Sequence, residues 1–185
     1  MTAPDLDAWL PRPQIRTHHR RASRVAPDVL WAAAERVPLD DARRLRRVVR
    51  WGLPDLPADI SFRDMFAGPP FTVLEEGPDR LVTGLCGPVW SLRRDYPRLS
   101  GADEFRSWDR PGTARVLFAH WVEPAPDGSV LHSAGRAAAT DRVGRMRLRA
   151  MWTVVGPFEG LVGAEPLPLA VARAEAAAGV GSAGG

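Results

Sequence analysis

The chain has 185 residues, 45% of them hydrophobic and 25% charged, which is the composition of an ordinary globular protein. At this length one core can bury roughly 70% of the unfolded surface without disulfide or metal support. The lone Cys86 excludes an intrachain disulfide framework and a Cys-rich metal site, and all 25 basic residues are arginine against 22 acidic ones.

Residues 1–13, with prolines at 4, 11 and 13, read as a loose arm that Trp9 and Leu10 can pin to the body. The start is acidic and lacks the basic, then apolar pattern of a signal peptide. No run approaches the ~18 apolar residues of a membrane helix, so a cytoplasmic location is expected. From Gln14 to Val25 the period is two: Ile15, Thr17, His19, Arg21, Ser23 and Val25 share one face, and Arg16, His18, Arg20 and Arg24 the other. Pro27 and Asp28 open a short amphipathic helix through Val29, Leu30, Ala33, Ala34 and Val37 that ends at Pro38. Asp40 and Asp41 open a second short helix through Ala42, Leu45, Val48 and Val49. Residues 53–70 read as a loop with one turn at Phe62–Phe66.

Strand texture follows. Phe71–Glu76 and Arg80–Gly87 flank a Gly77-Pro78-Asp79 turn, and Val89–Leu92 reads as a further short strand. Residues 93–111 read as a long loop folded over something. Thr113–Glu123 and Ser129–Ala139 form the strongest strand pair, joined by Pro124-Ala125-Pro126-Asp127-Gly128. Thr140 is the expected N-cap of the next helix, with Asp141 in its first turn. That helix carries two apolar stripes, one of Val143, Met146, Ala150 and Val154 and one of Leu148, Trp152 and Val155, and breaks at Gly156-Pro157. Helical periodicity resumes near Leu161 and runs toward Glu175, interrupted by Pro166 and Pro168, and residues 179–185 read as a flexible tail.

The run Ala26-Pro27-Asp28-Val29-Leu30-Trp31 after the first strand resembles the helix-grip superfamily, which includes START lipid-binding domains, aromatic polyketide cyclases and pollen-allergen-like ligand binders. Gly135-Arg136-Ala137-Ala138-Ala139-Thr140-Asp141 with Met151-Trp152 downstream resembles a bacterial branch of it, as do Phe71–Glu76 and Leu81–Leu85. The resemblance spans residues 14–178. It implies an α+β fold in which a curved antiparallel sheet wraps around C-terminal helices, with two short helices after the first strand. It also implies a hydrophobic cavity and no cofactor. Ala134 stands where that branch has glutamate and Met151 where it has an aromatic residue, so a carboxylate-dependent role does not carry over.

Closing the best hairpin symmetrically about Pro126 sets His120 opposite His132, Phe118 opposite Ala134 and Val116 opposite Arg136. One face then presents His120, His132 and Arg136 among apolar neighbours. A histidine there can move protons near neutral pH, and a buried arginine needs a carboxylate or a ligand anion. The alternative is that both histidines sit on the wet face. His120, Arg136 and Tyr96 are the catalytic candidates, and Trp90, Trp108, His120, His132, Arg136 and Trp152 the ligand-binding ones. No metal site is expected, because the two histidines lack a ligand-spaced partner.

The resemblance implies two functions, and the arginine clusters suggest a third. The first is binding of a small hydrophobic or amphipathic molecule. The second is a cofactor-independent cyclase, aromatase or dehydratase acting on a polyketide-like or aromatic substrate. The third is an interaction module using the arginine clusters around residues 16–24, 43–50 and 142–149, with no specific nucleic acid expected because no recognition motif accompanies them.

Overall fold

The computed structural model describes residues 3–38, 41, 60–91, 96–156 and 164–179. The second short helix expected from Asp40 to Val49 (Asp41 apart), the arginines at 43–50, the apolar run at Leu161 and the tail beyond Gly179 lie outside them. Five antiparallel strands form one sheet in the order β1-β5-β4-β3-β2. They are β1 (Ile15–Ser23), β2 (Thr72–Gly77), β3 (Arg80–Gly87), β4 (Ala114–Ala125) and β5 (Gly128–Ala139). The helices among the described residues are α1 (Leu6–Trp9), α2 (Pro27–Glu35), α3 (Phe62–Ala67), α4 (Ala102–Ser107), α5 (Arg142–Val155) and α6 (Pro166–Ala177). The architecture is α+β, an open five-stranded antiparallel sheet with α5 and α6 on one face.

Alternation along the strands sorts the core into two layers. Leu81, Val122 and Leu131 point to one face and pack with Leu30, Trp31, Ala34, Phe66, Leu167 and Ala170 of α2, α3 and α6. Their neighbours Val82, Leu117, Trp121 and Ala134 point the other way, against Leu6, Trp9, Phe105 and Trp108. Pro27 occupies the first turn of α2, and Leu30, Trp31 and Ala34 form its buried stripe. Ser23 Oγ donates to Glu175 Oε1 at 3.0 Å and the Arg24 amide donates to the same oxygen at 3.2 Å, tying the end of α6 to the end of β1.

The second layer bears on two expectations. Trp9 and Leu10 do pin the N-terminal arm to the body, so it is not loose: Leu10 is fully buried, Leu6 and Trp9 nearly so, and Trp9 Nε1 donates to Glu75 Oε2 at 3.3 Å. The long loop at 93–111 contains α4, whose Phe105 fills the space left by Gly84: a Cβ there would lie 2.6 Å from the Phe105 ring. Both segments have apolar side chains to bury, and the sheet offers a second apolar face. Val89 and Trp90 form a turn rather than a strand, closed by the Ser91 amide donating to Pro88 O at 2.7 Å.

The β4–β5 hairpin closes one residue out of the expected register, through a shorter turn. Ala125 pairs with Gly128, so only Pro126 and Asp127 turn, and His120 lies opposite Ser133, Trp121 opposite His132 and Leu117 opposite Arg136. A one-residue slip exchanges the faces of a whole strand. His120 therefore faces the helices, and His132 and Arg136 face the other layer.

Helix ends also differ. Asp141, not Thr140, caps α5, accepting from the Gly144 amide at 2.5 Å and, through its other oxygen, from the Gly112 amide at 2.5 Å. Thr140 Oγ1 instead donates to Arg110 O at 2.8 Å. An Asp141→Ala variant is expected to unfold at a lower urea concentration, since two amides lose a charged acceptor. Urea unfolding at pH 7 measures it. Pro166 and Pro168 do not interrupt the last helix but open it, where proline's missing N–H is harmless. Of the two stripes on α5, the one through Gly144 and Leu148 is buried, whereas Val143, Met146 and Val154 are 49%, 61% and 69% exposed.

Candidate functional site

Between the sheet and the helices lie two small hollows that meet at His120. The first is lined by Trp31, Ala34, Phe62, Leu81, Leu167 and Ala170, with a cavity volume of about 20 Å³. The second is lined by Ile15, Thr17, Val116, Phe118, Ser133 and Trp152, with about 80 Å³. The single greasy cavity expected from the sequence is thus divided. Phe62 and Phe66 of α3 fill its middle, each with a ring centroid 4.6 Å from that of His120. Ser61 caps α3 by accepting from the Asp64 amide at 3.0 Å, which fixes the helix carrying both rings. Glu35 and Arg63 form a 3.3 Å ion pair beside the first hollow.

His120 is the unusual group in this layer. It is 3% exposed, and its Nε2 has no hydrogen-bond partner among the described residues. Burial among apolar and aromatic side chains pushes its pKa down to about 3, so the ring is neutral at any ordinary pH. A buried nitrogen without a partner costs roughly 1–3 kcal/mol. On the neighbouring strand Thr83 Oγ1 is likewise buried and unpartnered, and Thr83 sits diagonally across from His120, two register positions away on the same face. Around His120 the arrangement supplies an apolar wall with neutral hydrogen-bonding atoms, and the charged groups at the rims, Arg63 with Glu35 and Arg136 with Asp7, are already paired within the chain. It can hold an uncharged polar group, and an anion would have to compete with those carboxylates for a cation.

The other sequence candidates fall in different places. Trp152 lines the second hollow. Trp90 packs beside the start of α5, where its ring sits close to Gly144. Trp108 is in the other layer, its Nε1 donating to Thr113 Oγ1 at 2.9 Å under the Arg110 guanidinium. Tyr96 lines neither hollow. Arg136 borders the second hollow, but its guanidinium turns to the arm, 2.6 Å from Asp7 Oδ1 and 3.3 Å from Leu10 O. Its expected partner is thus a carboxylate of this chain. His132 borders the first hollow, yet its ring stacks on Trp121 at 4.7 Å, shares a 3.0 Å Nδ1···Nε2 hydrogen bond with His18 and lies 3.4 Å from Glu123 Oε2. The shared hairpin face of His120, His132 and Arg136 does not exist, for the register reason given above. Among the described residues no group of three histidine, cysteine or acidic side chains is placed to hold a metal.

Sequence reasoning missed Trp31, Phe62, Leu81, Leu167, Thr17 and Ser133 as lining residues. The alternation placing Thr17 on the face of Ile15 was visible, and so was the helical stripe of Leu30 and Ala34. What was absent was any sign of which sheet face that stripe covers.

No protein-family model and no curated protein sequence matches this chain. Solved structures give distant likenesses. Protein MLL2253 from Mesorhizobium loti is 16% identical, with 80% of this chain and 94% of that one covered and a TM-score of 0.32. CalU16 from Micromonospora echinospora is 18% identical, with 89% and 85% covered and a TM-score of 0.29. The Zhui aromatase/cyclase from Streptomyces sp. R1128 is 16% identical, with 92% and 98% covered and a TM-score of 0.33. At these values the likenesses carry no reading of function. No helix among the described residues is long and apolar enough to cross a membrane.

Proposed function

We propose that the protein binds a small hydrophobic or amphipathic molecule with an uncharged polar head between the sheet and the helices. The observation that carries this reading is His120: a fully buried, neutral imidazole with an orphaned nitrogen, at the meeting point of two apolar hollows. A hydroxyl or carbonyl on the ligand satisfies that nitrogen, and the apolar body displaces the Phe62 and Phe66 rings that divide the space. Charged heads are disfavoured because the wall would desolvate them without compensation.

The cyclase reading is the weaker one. His120, Arg136 and Tyr96 do not converge on one space, and an imidazole with a pKa of about 3 is a poor general base at neutral pH.

Naphthalene, 1-naphthol and 1-naphthoate form a probe set that differs only in the head group. Titration calorimetry with native mass spectrometry is expected to rank 1-naphthol about tenfold above naphthalene, the worth of one hydrogen bond. Naphthoate is expected to be the weakest. In His120→Leu the naphthol advantage should vanish while naphthalene still binds. If neither neutral probe binds the native protein, nor any member of a lipid and polyketide panel, the binding reading is wrong.

A further inference from the structure

The exposed side of α5 is built like one half of a helix pair. With 100° per residue, Gly144, Leu148, Met151 and Val155 cluster on the side facing the sheet. Met146, Ala150, Val143 and Val154 form a continuous apolar strip centred about 125° round the helix from that side. Val143, Met146 and Ala150 are spaced three and then four residues apart, the a-d-a pattern of a heptad, with Thr153 at the next d position and Val154 beside it at e. Arg142, Arg147 and Arg149 then fall at the flanking g, e and g positions, with Arg145 beyond. Three of the four large apolar side chains exposed among the described residues belong to this one strip. None of the four guanidinium groups makes an ion pair with a described residue, and the Asp141 carboxylate whose field Arg145 and Arg147 feel is already bonded to the Gly112 and Gly144 amides.

We infer that this face of α5 docks an amphipathic helix of a partner protein whose apolar seam is flanked by glutamate or aspartate. Charge complementarity selects the occupant. A second copy of this chain would bring arginines against arginines across the same seam, a like-charge pairing that disfavours the match. A lipid surface fits less well, because the strip holds valine, methionine and alanine and none of the tryptophan, phenylalanine or leucine that anchor interfacial helices. The strip runs from Val143 to Val154, about 18 Å along the helix, enough for a little under two heptads of partner helix. The inference does not depend on the ligand reading, since it uses a different side of the helix.

The test uses the full chain and a three-heptad synthetic peptide with leucine at a and d and glutamate at e and g. Its controls are a twin peptide with lysine at e and g, and phosphatidylglycerol–phosphatidylcholine vesicles. Fluorescence anisotropy is expected to show the acidic peptide binding at least about tenfold tighter than its twin, and weakening as salt rises. Met146→Asp should weaken it about tenfold. The double variant R147E/R149E should reverse the preference toward the lysine peptide. All these positions are exposed, and unchanged circular dichroism confirms an intact fold. Equal binding of the two peptides, acidic-peptide binding untouched by Met146→Asp, or binding to vesicles without binding to the acidic peptide overturns the inference.

Discussion

Gly128→Ala is expected to lower the unfolding free energy by about 3–5 kcal/mol, the combined effect of backbone strain and forced displacement. Gly128 follows the two-residue turn with φ of 141°, in the region that side chains avoid. An added Cβ would lie 2.1 Å from the carbonyl oxygen of Ser23 and 2.7 Å from the Arg24 Cα. Both are backbone atoms, so no rotamer change relieves the contact. The chain there cannot retreat freely either. Ser129 Oγ donates to Val25 O at 2.8 Å, Ser23 pairs with Ser129 in the ladder, and Ser23 also holds Glu175 of α6. Moving it loosens β1, β5 and the end of α6 together. Gly112→Ala is the control: its φ is 72° with nothing within 4 Å of an added Cβ, so it should show only the strain, about 1–2 kcal/mol. Urea unfolding of the two variants separates the effects. A Gly128→Ala protein within about 1 kcal/mol of the native one would refute the packing described at the turn.

Acid is expected to destabilise the fold steeply, through His120. Its pKa is about 3 in the folded chain, against 6.5 for a solvent-exposed ring. Between those values the unfolded chain binds the extra proton, so stability falls as pH drops below 6.5, by about 1.4 kcal/mol per pH unit. His132, whose pKa is also lowered chiefly by burial, adds a loss of the same sign. From about pH 6.5 to about pH 4.5 the His120 contribution amounts to about 2–3 kcal/mol, a large share of a typical domain's margin. His120→Phe keeps an aromatic ring against Phe62 and Phe66 and removes the titrating group. Urea midpoints at pH 7 and pH 4.5 should therefore converge by that amount in the variant. Parallel losses in the two proteins would show that His120 is not the buried neutral group described.

The strands of local logic were legible in the residues. The alternation of β1, the proline-led start of α2 and the β2–β3 turn all arise from neighbouring side chains, and each is present. The β4–β5 register was not legible, because Pro124-Ala125-Pro126-Asp127-Gly128 accommodates more than one closure. The choice rests on Gly128 passing against the β1 backbone, a contact with a segment more than a hundred residues away. The candidate site inherits that ambiguity: one residue of slip decides whether His132 and Arg136 stand beside His120 or behind it. The stripe on α5 failed to be read for a related reason. Two apolar stripes at helical spacing are equivalent until the sheet covers one, and small Gly144 lets α5 approach closely on the side of Leu148. The second layer over the sheet had no local signal at all, since a four-residue helix and a six-residue helix acquire their meaning from the surface they cover.

Cys86 sits at the centre of that second layer, fully buried on β3, and burial pushes its thiol pKa up to about 12. The chain also has no lysine. A thiol-alkylating reagent therefore has a single target, screened from solvent and almost wholly protonated until the sheet parts from α1 and α4. The rate of its modification is a built-in clock for that opening, readable in a mixture without any engineered label.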